Sequence, residues 1–368
     1  MKIALLGLGT IGRGVYDIIH NQPLPLEVKK IYDRIHLSEF EGLYANSLDE
    51  IYHDSEIEAI VEVMGGEEFP YQVIKEALHH HKSIVTANKE VISRHVEELT
   101  LLKSKMGVEL CYEASVGGGI PIIRPLFHIK KTNEISKIEA ILNGTTNYIL
   151  TRMEEGESFD GALKEAQKLG FAEADPTQDL LGLDALRKIA ILGMIATNQR
   201  IDYNMIPHGG IQAINQSDIT FLKKNGYTLK MIATLKDQYA SVEPVAIQKD
   251  HLFSQVKYET NAIILSTNYY HDLTFIGKGA GRYPTASAIV DDLLTLEGHR
   301  DAYSINLQKS MGIKDTEESY YCRISDIETF PSSLVLLREG NQFITKPILR
   351  KKLNHEHIEF YARIRKED

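Results

Sequence analysis

The sequence predicts an α/β protein with three parts: an N-terminal dinucleotide-binding domain built on a doubly wound parallel sheet, a second α+β domain, and a short C-terminal αβ appendage. Apolar strands and helices alternate over residues 1–113, which is typical of a parallel sheet with helices on both faces. Beyond residue 134, helices and strands come in blocks, which is typical of an α+β domain with an antiparallel or mixed sheet. We expect the domains to span 1–130, 131–310 and 317–368.

The composition is that of a globular protein, and its charge disfavours some partners. The chain has 368 residues, of which 43% are hydrophobic and 25% charged, and its net charge is −10. An acidic chain is a poor partner for nucleic acid or for an anionic membrane surface. Cys111 and Cys322 have no zinc-site spacing, and neither a signal peptide nor an apolar run of ~18 residues is evident. We therefore expect a cytoplasmic protein that acts on a small molecule.

A glycine-rich turn marks the first strand–helix connection. Residues 2–6 form an apolar strand, GLGTIG follows at 7–12, and residues 12–20 have a helical pattern. In this context the motif is the fingerprint of a Rossmann-type domain, because its glycines allow a tight turn, close approach of a pyrophosphate and packing of helix on strand. The N–H groups at the helix start then bind the phosphates. The cofactor contacts expected here are Gly7, Gly9, Thr10, Ile11 and Gly12.

The end of the second strand bears on the choice of cofactor. Asp33 follows the strand at 27–32 and lies 21 residues after Gly12. An acidic residue at this place can bind the ribose 2′-hydroxyl, which favours NAD. Arg34 beside it can instead hold a 2′-phosphate, which favours NADP. Both readings stay open on the sequence.

Further elements extend the alternation, and a lysine follows one of them. The pattern predicts a helix near 47–52, strand 59–63, helix 70–79, strand 83–86, helix 96–106 and strand 109–113. Ligands of doubly wound sheets bind beyond the carboxyl ends of the strands. Lys89 lies there, just before a helix, where the helix dipole disfavours a positive charge. That misfit favours a role in the cleft over an ordinary helix start.

A glycine-rich loop follows Glu113. The segment EASVGGGIP at 113–121 combines one carboxylate with a loop that can expose carbonyl oxygens. Hard cations take oxygen ligands of this mixed kind. The alternative interpretation is a sharp crossover between two domains.

The second half contains the richest group of polar residues. A strand at 134–142 leads into NGTTN at 143–147, a polar helix start that suits an anionic group. Pro176 is expected to start a helix. Asp184 and Lys188 lie four residues apart and share a helical face, so the carboxylate can orient and tune a proton donor. The alternative is a surface ion pair worth under ~1 kcal/mol.

The remaining elements complete the second domain and the tail. Further helices are expected at 148–155 and 158–169, and the helix after the acidic stretch ends near residue 196. A glycine-rich turn at 277–281 precedes helix 286–296, which returns to the nucleotide-binding domain and brings Gly279 to the cofactor. Strands are expected at 227–235, 240–247, 261–266, 273–276, 320–325 and 358–364.

Taken together, these motifs resemble the homoserine dehydrogenase family. The matching segments are GLGTIGRGV near the start, TANKE at 86–90, EASVGGGIP at 113–121, NGTTNYIL at 143–150, EADPTQDLLGLDALRKIAILG at 173–193 and GKGAGRYPTASAIVDDL at 277–293. They follow the order of the family over residues 1 to about 310. The resemblance implies NAD(P)-dependent interconversion of L-homoserine and L-aspartate 4-semialdehyde, in the biosynthesis of threonine, methionine and isoleucine, by a homodimer or higher homo-oligomer.

The resemblance also assigns roles to individual residues. The catalytic centre would contain Lys188, Lys89 and Asp184. The substrate pocket would contain Glu173, Asp179, Gly144 and Thr145. A monovalent cation, Na+, would bind at Glu113, Val116, Gly118 and Ile120. The tail would be a truncated segment like the amino-acid-sensing ACT domain that ends many members of the family.

Two other functions remain open at this stage. One is another amino-acid dehydrogenase of similar build, and the other is a regulator that has lost catalysis and only senses NAD(P). The presence of Lys89, Asp184 and Lys188 argues against the regulator, because a sensor needs no proton donor. Oxidation of NAD(P)H with aspartate semialdehyde, beside a panel of other oxo acids, distinguishes all three.

Overall fold

The computed structural model describes residues 1–298, 303, 305–354 and 356–365, so the end of the predicted appendage, 366–368, lies outside the described residues. The chain divides into two compact units. Unit 1 comprises Met1–Asn133, Ala190–Asp202 and Gly277–Ser310, and unit 2 comprises Glu134–Ile189, Tyr203–Ile276 and Met311–Asp368. Two segments expected in the second domain, 190–202 and 277–310, thus belong to unit 1, and the expected appendage belongs to unit 2.

Helices make up much of both units. They are α1 (Thr10–Asn21), α2 (Leu48–His53), α3 (Glu68–His79), α4 (Lys89–Met106), α5 (Ile123–Ile129), α6 (Gly144–Glu154), α7 (Phe159–Lys168), α8 (Thr177–Leu180), α9 (Leu183–Thr197), α10 (Gln216–Lys224) and α11 (Arg282–Glu297). None of the helices in the described part of the chain is long and apolar enough to cross a membrane.

The strands form two main sheets and two small ones. They are β1 (Lys2–Leu6), β2 (Glu27–Tyr32), β3 (Ile57–Glu62), β4 (Ser83–Thr86), β5 (Leu110–Cys111), β6 (Ile135–Ile141), β7 (Gln199–Arg200), β8 (Tyr227–Lys236), β9 (Tyr239–Gln248), β10 (Thr260–Thr267), β11 (His271–Lys278), β12 (Lys309–Ser310), β13 (Glu317–Glu318), β14 (Tyr320–Ile324), β15 (Val335–Glu339), β16 (Gln342–Thr345), β17 (Ile348–Leu349) and β18 (Ile358–Ile364).

Unit 1 is built on a parallel sheet in the order β2-β1-β3-β4-β5. The register pairs Leu6 with both Tyr32 and Glu62, so the carboxyl ends of β1, β2 and β3 meet at one edge. The chain turns there at Gly7, whose φ of 97° lies in the left-handed region that favours glycine. This edge is where ligands of doubly wound sheets bind.

Unit 2 is built on a nine-stranded mixed sheet in the order β11-β10-β6-β8-β9-β18-β14-β16-β15. Its core includes a buried apolar cluster around Ile141, Ile232, Val245 and Phe253. The C-terminal strands join this sheet, because β18 pairs parallel with β9 and antiparallel with β14. The predicted fold class is confirmed: a Rossmann-type parallel sheet, a mixed sheet, and helices in both units.

Helices α4 and α6 begin earlier than their apolar pattern predicts, and so does α11, which begins at Arg282 rather than at 286. Helix α4 begins at Lys89 rather than at 96, and α6 begins at Gly144 rather than at 148. Each is preceded by an asparagine N-cap: the side chains of Asn88 and Asn143 accept hydrogen bonds from backbone N–H groups of the first turn, at 3.1 and 2.9 Å. Polar residues dominate these starts, Lys89 and Glu90 in α4 and Thr145, Thr146 and Asn147 in α6, so apolar spacing alone placed both starts too late.

The helix expected to run from Pro176 through Lys188 is interrupted. Helix α8 ends at Leu180, and α9 begins at Leu183. Gly182 between them has φ 81°, and a Cβ there would lie 2.6 Å from the Met231 side chain, so the chain turns against β8 at a point that only glycine fits. Asp184 and Lys188 keep their common face on α9.

Candidate active site

A cavity of about 1040 Å³ opens at the carboxyl edge of the unit 1 sheet. Gly7, Gly9, Thr10, Asp33 and Arg34 line it, and these are among the residues that the sequence suggests for the cofactor. The Asp33 carboxylate accepts the backbone N–H of Leu8 at 2.5 Å, so this side chain also holds the glycine-rich turn. Lining residues that the motif did not indicate include Arg13, Gly65, Gly66 and Arg282.

The other predicted cofactor residues of unit 1 lie around this edge without lining the described cavity. Ile11 and Gly12 belong to the first turn of α1, and a Cβ on Gly12 would lie only 2.0 Å from the Gly7 carbonyl oxygen. Lys89 is the first residue of α4. Gly279 packs against Gly118: a Cβ on Gly118 would lie 2.3 Å from the carbonyl oxygen of Gly279.

A hydrogen-bond network sets the position of Lys89. The Thr86 hydroxyl donates to the Glu62 carboxylate at 2.7 Å and accepts the Asn88 N–H at 2.9 Å. The Asn88 side chain in turn donates to the Gly66 carbonyl at 2.8 Å. Burial raises the pKa of Glu62, while its hydrogen bonds oppose the shift. The end of β4 and the start of α4 are thereby tied to the glycine pair at 65–66.

Unit 2 brings together the residues of NGTTN and of the acidic stretch. The Lys188 ammonium lies 2.8 Å from the Asp184 carboxylate and donates to the Leu142 carbonyl at 2.9 Å. The Asn143 side chain donates to Asp184 at 3.0 Å and to Asp179 at 2.7 Å. These four side chains form one connected polar cluster, which we call the lysine–aspartate cluster.

Burial separates this cluster from an ordinary surface ion pair. Lys188 is 9% exposed and Asp184 7% exposed. Leaving one member of such a buried pair without the other costs about 3–5 kcal/mol, whereas an exposed pair is worth ~1 kcal/mol or less. Burial, and then repulsion from Asp184, raise the pKa of Asp179, and hydrogen bonds from Asn143 and Thr145 act against that shift. The cluster therefore combines a held ammonium group with an excess of carboxylate.

The remaining predicted substrate residues differ in their surroundings. Thr145 joins the cluster, since its hydroxyl contacts the Asp179 carboxylate at 3.1 Å and the Phe171 carbonyl at 2.5 Å. Gly144 packs against the loop before β10, because a Cβ there would lie 2.9 Å from the Glu259 carbonyl oxygen. Glu173 is exposed between α7 and α8, and its carbonyl accepts a hydrogen bond from Gln167.

The Glu113 carboxylate faces main-chain donors. It accepts the backbone N–H groups of Ile122, Ile123 and Arg124 at 2.6, 2.7 and 2.8 Å, at the start of α5. Its own N–H donates to Asp292 at 2.9 Å. Burial raises the pKa of Asp292 to about 7. Among the described residues, no cluster of three or more histidine, cysteine or acidic side chains could hold a metal ion.

Besides Arg13 and Arg282 of the cavity, the sequence reasoning missed Asn143 and Asp292, for different reasons. Asn143 is part of the NGTTN motif, and its N-cap position before a polar helix start was a usable signal. Asp292 lies 179 residues after Glu113, and nothing local to either residue indicates the contact.

The fold and these sites define a class of protein. A parallel sheet with a glycine-lined cavity at its carboxyl edge, together with a buried lysine–aspartate pair, is the construction of an NAD(P)-dependent oxidoreductase.

Comparison with known proteins narrows the class. A family model for homoserine dehydrogenase matches residues 121–294, and a model for the homoserine dehydrogenase NAD-binding domain matches residues 7–113. The chain belongs to the homoserine dehydrogenase family, as the resemblance predicted.

Similar proteins cover nearly the whole chain. The homoserine dehydrogenase of Synechocystis sp. is 38% identical over 350 residues, which are 89% of this chain and 80% of that protein. A solved homoserine dehydrogenase structure from Thiobacillus denitrificans has a TM-score of 0.87 and 27% identity, covering 99% of this chain and 98% of that one. A hyperthermophilic archaeal homoserine dehydrogenase, solved in complex with NADPH, has a TM-score of 0.70 and 26% identity, covering 83% of this chain and 99% of that one.

Proposed function

We propose that this protein interconverts L-homoserine and L-aspartate 4-semialdehyde with NAD(P). The observation that carries the proposal is the buried Lys188–Asp184 pair, which holds an ammonium group in a fixed place within an acidic pocket. The amino group of the substrate is a cation, and carboxylates beside that ammonium suit it. The cavity at the glycine-rich turn has the size and lining for a dinucleotide.

Lys188, Asp184 and the Leu142 carbonyl of unit 2 have separate roles in the proposed reaction. The bound nicotinamide supplies the hydride for reduction of the aldehyde. Lys188 donates the proton to the developing alkoxide, and in the oxidative direction it takes that proton back. Asp184 and the Leu142 carbonyl orient the ammonium group, since both lie within 2.9 Å of it.

The other predicted residues bind and position. Asp179 and Glu173 are assigned to the substrate amino group, and Gly144 and Thr145 shape the pocket beside them. Lys89 is assigned as the second lysine of the catalytic centre. In unit 1 the cofactor is assigned to the turn residues, to Asp33 and Arg34, and to Gly279.

The direct test is oxidation of NADPH or NADH by purified protein with aspartate semialdehyde as substrate. We expect turnover with the semialdehyde and little with other oxo acids of similar length. Turnover with another oxo acid alone would identify a different amino-acid dehydrogenase. Cofactor binding without turnover of any of them would identify a sensor.

Arg34 offers a test of the cofactor choice. It lines the cavity and is exposed beside Asp33, and a guanidinium can hold a 2′-phosphate. Replacing it by alanine is expected to lower kcat/KM with NADPH about 10–100-fold, because a charge-assisted hydrogen bond is worth about 1.5–3 kcal/mol, and to leave kcat/KM with NADH unchanged. Equal losses with both cofactors would remove Arg34 from this role.

A monovalent cation is assigned to the loop at 113–121, at Glu113, Val116, Gly118 and Ile120. The proposed ligands are Glu113 and the carbonyl oxygens of Val116, Gly118 and Ile120, because oxygen ligands of this kind suit a hard cation. The Glu113 carboxylate also accepts three backbone N–H groups, which fix its position. The tightness of the loop supports this, since a Cβ on Gly117 would lie 2.3 Å from the Ile120 carbonyl oxygen.

The assembly is assigned as a homodimer formed through the substrate-binding and dimerisation domain. Strand β11 is the edge of the unit 2 sheet, every residue in it is at least partly exposed, and Ile276 is 51% exposed. An exposed apolar edge strand invites pairing, and two-fold dimers are the commonest closed assembly. Light scattering at micromolar concentration is expected to report twice the chain mass of 41.5 kDa. A mass of one chain would reject the dimer.

A further inference from the structure

A partly buried arginine of the C-terminal segment binds the main chain of a distant loop. Arg350 follows β17, and its side chain is only 14% exposed. Its guanidinium donates to the His208 carbonyl at 2.8 Å and to the Tyr361 hydroxyl at 2.7 Å. It also lies 3.6 Å from the Glu243 carboxylate, which it shares with Arg363 at 3.2 Å. The guanidinium of Arg350 thus makes a specific hydrogen bond to the carbonyl of His208.

The loop that contains His208, residues 207–211, is tied on two further sides. Val242 of β9 donates its N–H to the Pro207 carbonyl at 3.0 Å and accepts the Gly209 N–H at 2.9 Å. Ile211 donates its N–H to the Leu180 carbonyl at 3.0 Å. The 207–211 loop therefore connects the tail and β9 to the last residue of α8.

Helix α8 depends on such contacts because it is very short. It contains only Thr177–Leu180, and a single turn is not stable by itself in water. Asp179 projects from this turn and reaches Asn143 and Thr145 at 2.7 and 3.1 Å. Any movement of Leu180 moves the neighbouring carboxylate within the lysine–aspartate cluster.

We propose that Arg350 is a positioning residue for substrate binding: by holding the 207–211 loop, it keeps Asp179 in reach of Asn143 and Thr145. The C-terminal segment is then a structural part of the substrate site, and not only an attachment to it. This inference rests on the proposed function, because it takes Asp179 as a substrate ligand.

The test compares Arg350→Ala with two controls in the full-length protein. Arg350→Ala is expected to raise KM for the semialdehyde about tenfold, with kcat changed less than about threefold and KM for NADPH unchanged. Arg350→Lys is expected to recover part of the loss, since an ammonium can still donate to the carbonyl. Lys351→Ala removes the adjacent exposed lysine and is expected to match wild type.

A second control separates positioning from attachment of the tail. Arg365 binds Glu139 at 3.0 Å and so ties the end of β18 to strand β6. It therefore tests attachment of the C-terminal segment at a place other than the 207–211 loop. Arg365→Ala is expected to lower the melting temperature without the selective rise in KM. An equal rise in KM in both variants, or none in Arg350→Ala, would overturn the proposal. If Arg350→Ala fails to fold, Arg350→Lys and Arg350→Gln decide by the same comparison.

Hydrogen exchange gives a readout that does not require turnover. Arg350→Ala is expected to speed exchange at the amides of Gly209 and Ile211 and in peptides that span 177–182, while the strand β6 peptide stays protected. Unchanged exchange in these peptides would overturn the proposal even in an active enzyme. If wild-type protein lacks turnover with the semialdehyde but exchange responds as expected, the proposed function fails while the link from Arg350 to α8 stands.

Discussion

Replacing Lys188 by alanine is expected to lower kcat by about 10²–10⁴-fold while cofactor binding is retained. The ammonium group is held at 2.8 Å from Asp184 and 2.9 Å from the Leu142 carbonyl, so it is the fixed cation of the lysine–aspartate cluster and its proposed proton donor. The measurement is kcat with aspartate semialdehyde at saturating NADPH, together with cofactor affinity by fluorescence titration. A kcat near that of wild type in purified Lys188→Ala protein would reject the role.

The Lys188→Ala variant is also expected to be less stable, so its loss of activity has to be distinguished from unfolding. Removing the lysine alone leaves the Asp184 carboxylate buried with Asn143 as its remaining donor in the cluster, which costs about 3–5 kcal/mol. The double variant Lys188→Met with Asp184→Asn removes both charges and is expected to regain most of the stability without regaining activity. Lys164→Ala, at an exposed position of α7, serves as the control for loss of a lysine.

Gly9→Ala is expected to raise KM for NAD(P)H on the order of 10–100-fold with little change in stability. Gly9 has φ −73°, and a Cβ there would meet no atom within 4 Å, so the protein itself accepts alanine. The added methyl group occupies the space through which a pyrophosphate approaches the turn. Stopped-flow cofactor binding and steady-state kinetics measure the effect, and the melting temperature should stay within about 2 °C.

Two other glycines serve as comparisons for this result. Gly12→Ala is expected to lower the melting temperature strongly, because its Cβ would lie 2.0 Å from the Gly7 carbonyl oxygen. Gly312→Ala also meets no atom within 4 Å but lies in unit 2, so it is expected to change neither property. Unchanged cofactor affinity in Gly9→Ala would show that the dinucleotide does not bind at this turn.

Strand–helix periodicity predicted unit 1 closely. Strands β1, β2 and β4 have the predicted bounds. Strands β1 and β4 are almost entirely buried and therefore mostly apolar, whereas the edge strand β2 keeps charged residues among its buried ones. The apolar pattern placed the starts of α4 and α6 too late, because N-cap hydrogen bonds accepted by Asn88 and Asn143, and not apolar spacing, determine where these two helices begin. The same pattern missed the short helices α5 and α10.

The sequence alone determined the fold class, the family and the chemistry of the key residues. A GxGxxG turn after a first strand, and a lysine one helical turn after an aspartate, are local patterns whose physical meaning does not depend on the rest of the chain. Only the tertiary structure decided which groups meet. Burial distinguishes the Asp184–Lys188 pair from an exposed ion pair and supports the proton-donor role proposed for Lys188.

The remaining contacts are decided by long-range packing. Asn143 meets Asp179 across 36 positions, Glu113 meets Asp292 across 179, and Arg350 reaches the His208 carbonyl across 142. Contacts between residues so far apart in the chain depend on the strand order and on the turn at Gly182. Neither feature can be read from the spacing of apolar residues in the sequence. Local hydrogen bonding and apolar period act over a few residues, whereas the site is assembled by the sheet that brings distant segments to one place.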